Sequence, residues 1–134
     1  MQRITVESRT LSVRVDRSSD DVYDFVAQPA NLPTWAAGLG TSIALVGGEW
    51  IADTPQGPAK VRFAEQNTFG VLDHFVSAEP GIEVYIPMRV IANGHGSEIL
   101  FTLLRLADMS DATFAEDAAA VERDLKALKL LLEA

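Results

Sequence analysis

Across residues 110–133, the apolar positions Phe114, Ala118, Val121, Leu125, Leu128 and Leu132 recur at steps of three and four. That spacing puts them on one face of an α-helix. Glu116, Asp117, Glu122, Arg123, Lys126 and Lys129 take the other positions. Ser110 stands where an N-cap belongs, and Asp111 opens the first turn, where a carboxylate suits the helix dipole. Glu122 and Lys126 make an i,i+4 pair in the favoured order. Thr113 occupies the position at which Glu or Gln would complete a capping box. A helix of this length reaches about 35 Å, enough to cross a small domain.

The rest of the chain alternates at period two. Ile4 and Val6 have one parity, and Leu11, Val13 and Val15 have the other. The pattern predicts one strand over 4–15 with a bulge near Ser8 to Thr10. Ser18 or Ser19 caps a helix over 20–27 that turns Val22, Phe25 and Val26 inward, and Pro29 limits it. Residues 31–35 suit a second short helical turn, with Pro33 in its first-turn position. Strands are then expected on either side of a Gly47-Gly48 hairpin, and over 59–65, 68–77, 82–92 and 97–106. Turns are expected at 54–58, at Glu79-Pro80-Gly81 and at Asn93-Gly94-His95-Gly96. Strand, short helices, about six antiparallel strands and a long helix make an α+β fold, and residues 1–134 fit one domain.

A curved sheet closed over one long helix leaves a hollow between them. This arrangement resembles the helix-grip fold of the START-like, Bet v 1-like (SRPBCC) superfamily, and more narrowly its polyketide cyclase/dehydrase and lipid-transport group. Four places carry the resemblance: residues 15–35 with their Asn-Leu-Pro-x-Trp element; Gly70-Val71-Leu72-Asp73-His74; Pro87-Met88-Arg89-Val90 before an Asn-Gly turn; and Asp124-Leu125-x-x-Leu128-Lys129 in the last helix. None is a catalytic signature. The resemblance implies a curved sheet of about six or seven strands around the C-terminal helix. It also implies a lipid-, sterol- or polyketide-like ligand.

Composition narrows the partners. The net charge is −8, with acidic residues spread along the chain. Phosphate binding needs clustered Lys and Arg, so neither nucleic acid nor an anionic membrane surface is expected. No apolar run approaches a membrane span, and residues 1–10 hold no apolar signal segment. Cysteine is absent, which excludes disulfides, thiolate metal sites and Cys nucleophiles. A reducing cytoplasm fits these features. Two histidines without Cys make a zinc site improbable. No phosphate-binding or dinucleotide loop and no Gly-x-Ser-x-Gly elbow occurs, so no cofactor is expected.

The candidate site residues are Arg89, His74, Tyr85, Trp35 and Asp73. Arg89 stands in an apolar strand, where an unpaired buried charge is too costly to be incidental. It suits either an ion pair with Asp73 or Glu98, or a clamp for a ligand oxygen. An imidazole titrates near neutral pH, so His74 suits a half-buried strand position, a pocket donor or a base. His95, in its glycine turn, reads as a solvated loop residue. Trp35 and Trp50 are candidates for core packing or for a cavity mouth. Pairing the strands about Pro80 sets Gly70 opposite Arg89 and His74 opposite Tyr85. These four then share a face, with Asp73 turned away beside Val71, Phe75, Ile86 and Met88. Gly70 beside Arg89 leaves room for a long side chain or a ligand.

Three functions fit. The first is a binding module for a small hydrophobic molecule, oriented by Arg89, His74 and Tyr85. The second is a cyclase or dehydratase with His74 or Asp73 as base and Arg89 or Tyr85 as donor to the enolate oxygen. The third is an interaction domain without a ligand. Both sheet faces are apolar, so a homodimer would cover whichever face the helix leaves open.

Overall fold

The long C-terminal helix, α2 (Asp111–Glu133), buries Phe114, Ala118, Leu125, Leu128 and Leu132. These are five of the six positions singled out by spacing, and Val121 is half-buried beside them. The computed structural model describes residues 4–134. Ser110 caps α2 by accepting from Thr113 N–H at 3.1 Å, and its own hydroxyl lies 3.0 Å from Thr113 Oγ1. Thr113 thus takes up the Ser110 hydroxyl where a capping-box carboxylate would have reached the backbone.

Ahead of α2 the elements run β1 (Ser8–Val15), α1 (Ser19–Val26), 3-10 turns at Pro29–Thr34 and Ala37–Leu39, then β2 (Ser42–Val46) and β3 (Glu49–Thr54). They continue with β4 (Gly57–Phe63), β5 (His74–Glu79), β6 (Ile82–Ile86), β7 (Met88–Asn93) and β8 (Gly96–Leu104). All pairings are antiparallel. The strand orders are β1-β8-β7 in one sheet and β2-β3-β4-β5-β6 in the other. α2 lies mainly against β1, and α1 lies against β7 and β8. Val22, Val26, Leu32, Trp35, Val90, Ile99, Leu125, Leu128 and Leu132 share the core between them.

Three expectations are corrected. The first strand starts at Ser8 and runs without a bulge, in unbroken register from Ser8↔Leu104 to Val15↔Ser97. The change of parity marks the strand's start instead: Ile4 and Val6 precede it and are exposed. The strand expected over 82–92 breaks at Pro87, which has no N–H for the ladder. β6 pairs with β5 and β7 with β8. The sheets stay joined at the break because Thr102 N–H donates to Pro87 O at 3.0 Å.

The strand expected over 68–77 begins only at His74. Before it, Asn67 replaces the ladder with its own side chain. Its Oδ1 accepts from Phe69 N–H and Val71 N–H, and its Nδ2 donates to Glu65 O and Val71 O. Tyr23 OH from α1 accepts from Asn67 N–H at 2.9 Å. Gly70, at φ 72°, then brings the chain against β7, where a Cβ would lie 2.1 Å from Val90 O. The space opened by the missing side chain holds the neighbouring backbone rather than a ligand. Val90 N–H donates to Gly70 O, and Leu72 N–H to Met88 O, each at 2.9 Å.

Candidate functional site

The five-stranded sheet has two chemically different faces. Register places Ile43, Trp50, Ala52, Ala59, Val61, Phe63, His74, Val76 and Ile86 on one side. Nearly all are apolar, and Ala52, Ala59, Val61 and His74 are buried. This concave side faces the core. Lys60, Arg62, Phe75 and Tyr85 alternate to the other side.

A half-open hollow of about 340 Å³ lies over β3 and β4, lined by Pro29, Gly48, Glu49, Trp50, Lys60, Val61, Arg62 and Phe63. Trp50, Val61 and Phe63 supply its apolar wall from one face of the sheet, and Pro29 supplies the opposite lip; α2 lines none of it, so it is not the hollow expected between the sheet and the long helix. The two cations at its rim are already engaged, Lys60 by Glu49 and Arg62 by Glu83. Behind the wall, the Phe63 ring stacks on His74 with centroids 4.8 Å apart, and Phe101 meets the imidazole edge-on. His74 is 2% exposed. Burial pulls its pKa below the ordinary imidazole value, against the opposing effects of the Leu72 carbonyl and the Asp73 charge.

Asp73, Tyr85 and Arg89 gather on the convex side. Asp73 Oδ2 accepts from Tyr85 OH at 3.0 Å and from the Arg89 guanidinium at 3.3 Å. Asp73 Oδ1 accepts from Met88 N–H at 2.9 Å. Tyr85 in turn stacks on Phe75, whose ring lies under the Arg62 guanidinium at 4.3 Å. The hydrogen bond to Asp73 holds the Tyr85 phenol above its usual pKa. The Arg89 side chain is 43% exposed and that of Asp73 13%, so Arg89 is not a buried charge. Its partner is Asp73, one of the two carboxylates expected. Glu98 instead accepts from Asn93.

The expected grouping of His74 with Tyr85 and Arg89 is therefore corrected. His74 opposes Ile86, and Phe75 opposes Tyr85, one residue away from the expected pairing. An irregularity between Val76 and Glu79 offsets the hairpin register, and a one-residue offset exchanges the faces. Asp73 joins Tyr85 and Arg89, and His74 is turned to the core. A His74 base and an Arg89 or Tyr85 donor thus stand on opposite sides of the sheet and cannot share one substrate.

Of the two places expected for Trp35, core or cavity mouth, the structure gives the core. The residue is 4% exposed there, with its indole N–H enclosed and unpartnered among the described residues, while Trp50 lines the hollow. His95 is exposed on its turn. Val61 and Phe63 went unrecognised in the sequence, although alternation along β4 puts them on the face of Ala59, with Val61 opposite Trp50 and Phe63 opposite His74. Among the described residues, no group of three or more metal-ligating side chains converges. No helix there is long and apolar enough to cross a membrane.

No family model matches the chain, and no curated protein is similar to it by sequence. Solved structures are similar in fold. XoxI from Bacillus cereus superposes with a TM-score of 0.74 at 17% identity, over 93% of this chain and 94% of that one. A START superfamily protein from Mycobacterium smegmatis gives 0.70 at 13% identity, over 94% and 97%. Ara h 8.0201 gives 0.67 at 15% identity, over 95% and 97%. Likeness over whole chains at such low identity establishes a shared fold.

Proposed function

We propose that this chain, which has the helix-grip fold of the START-like and Bet v 1-like proteins, binds a small hydrophobic molecule in the hollow over β3 and β4. The observation that carries this reading is the hollow itself, of about 340 Å³, with Trp50, Val61 and Phe63 as its wall. That volume lies at the lower end of the range for small-molecule sites, which combine apolar walls with few polar groups. Aromatic side chains in a half-open hollow offer flat, water-excluding surface to a ligand. The likeness to a START superfamily protein agrees with the same reading.

Binding is favoured over a cyclase-type reaction by the separation of the titratable groups. His74 is on the concave side without Tyr85 or Arg89, and both oxygens of Asp73 already accept hydrogen bonds. Native mass spectrometry of gently purified protein tests the reading. A copurifying mass that leaves on denaturation, and that Trp50→Ala retains at no more than about a tenth of the wild-type level, supports it. A ligand retained equally by the variant places binding elsewhere and contradicts it.

A further inference from the structure

The three-stranded sheet ends at β1, which pairs with β8 on one side only. Arg105 N–H donates to Glu7 O at 2.9 Å, continuing the register that begins at Ser8↔Leu104. Hydrogen-bonded pairs alternate along an antiparallel ladder, so Arg9, Leu11, Val13 and Val15 direct their backbone groups at β8. Ser8, Thr10, Ser12 and Arg14 turn theirs outward. Two contacts from α2 agree with this: Lys129 Nζ donates to Arg14 O at 2.7 Å, and Glu133 Oε2 accepts from Asp16 N–H at 2.8 Å. They close the edge beyond Ser12. Thr10 and Ser12 stay exposed, each presenting one N–H and one C=O. Beside them a groove of about 300 Å³ runs between residues 9–13 and Glu122, Leu125 and Lys126 of α2. Leu11 and Val13, on the α2 side of the strand, are only half-buried.

We propose that this edge takes up an extended peptide segment of another protein, as a fourth, antiparallel strand with the pattern apolar-x-apolar-x-acid. A strand added at an edge pairs main chain to main chain, and its alternate side chains supply the specificity. The second and fourth residues of the segment lie opposite Ser12 and Thr10 and satisfy all four outward groups. The first and third lie opposite Val13 and Leu11, on the side where Leu125 offers apolar surface. The fifth lies opposite Arg9. Of the two cations lining the groove, Lys126 is engaged by Glu122 at 3.2 Å. Arg9 forms no ion pair among the described residues. The carboxylates that share its other flank, Glu7 and Asp111, are held by Arg105 at 2.8 and 2.7 Å. A carboxylate opposite Arg9 therefore makes a cross-strand ion pair that the fold leaves open. A second copy of this chain fits less well. Pairing Thr10 with Ser12, or Ser12 with itself, sets Val13 or Val15 of that copy opposite Arg9 and supplies no carboxylate.

Amide NMR of the full chain, titrated with acetyl-Val-Thr-Val-Thr-Glu-amide, tests this. The comparison peptides carry Lys in place of Glu, or an N-methyl group on the second residue, which removes the donor to Ser12 O. The Glu peptide is expected to shift the Thr10 and Ser12 amides and to bind about fivefold more tightly than the Lys peptide, a preference that shrinks in high salt. The methylated peptide is expected to bind at least about fivefold more weakly than its parent. Arg9→Glu should reverse the charge preference. Ser12→Pro should abolish binding while β1 stays paired, since that N–H lies outside the ladder. No shift at millimolar Glu peptide, or shifts centred away from β1, overturns the proposal. So does equal affinity for the Glu and Lys peptides, equal affinity for the methylated and unmodified ones, or an unreversed preference in Arg9→Glu. The peptide comparisons use the wild type alone and stay decisive where a variant fails to fold. Sedimentation as a dimer without peptide, with concentration-dependent shifts at Thr10 and Ser12, places a second copy on the edge and also overturns it.

Discussion

Asp73 and His74 are neighbours in the chain and serve opposite sides of the sheet. Asp73 ties β5 to the β6–β7 break by accepting from Tyr85, Arg89 and Met88. His74 lies between Phe63 and Phe101 on the core side. The arrangement follows from strand geometry, in which successive side chains alternate. It also separates the carboxylate of the convex cluster from an imidazole packed in the core, so each can be tested alone.

Asp73→Ala should destabilise the protein by about 2–3 kcal/mol, because it strips the partly buried Met88 N–H of its acceptor and releases two further donors. Arg89→Ala should cost at most about 1 kcal/mol, since the pair is half-exposed and Asp73 keeps two donors. Urea denaturation of the two variants checks the order. An Arg89→Ala loss as large as that of Asp73→Ala would show that the guanidinium dominates the cluster.

Gly70→Ala should cost at least about 2 kcal/mol. The residue has φ 72°, and the added Cβ would lie 2.1 Å from Val90 O, a backbone atom that cannot turn aside. Gly48→Ala is the control. It has φ 83° but nothing within 4 Å of the new Cβ, so only the backbone penalty of about 1 kcal/mol remains. Thermal melts in parallel separate the contact from the dihedral.

Stability should fall as pH drops below the ordinary imidazole value. His74 has a lowered pKa in the folded protein because burial disfavours its charged form. In the window between that lowered value and about 6.5, the unfolded chain binds the proton and the native state does not. Stability is therefore complete above the window and declines through it on acidification. His74→Phe should flatten this part of the profile. Denaturation midpoints from pH 7.5 downward provide the measurement, and a wild-type slope unchanged in the variant would contradict it.

Much of the fold was legible because long-period signals are redundant. The helix at α2 rests on six spaced apolar positions and a serine cap, and the Gly47-Gly48 hairpin on two glycines that both take positive φ. The candidate site was less legible, since each assignment hung on a single register. One irregularity between Val76 and Glu79 was enough to exchange the faces of Asp73 and His74. Asn67 hid the loop before β5, because a side chain that stands in for a ladder leaves no period of its own. Trp35 and Trp50 were indistinguishable by type, and only packing separates the buried one from the one on the hollow.

Backbone and tryptophan indole NMR shifts, recorded while 2-methylnaphthalene is titrated into the protein, test the central claim most directly. The account predicts that perturbations centre on Trp50, Val61 and Phe63, extend to Pro29's neighbours, and spare Phe75, Tyr85 and Arg89 on the convex side. Saturating shifts centred on Phe75 and Tyr85, or an unchanged spectrum, would contradict a ligand hollow on the concave face.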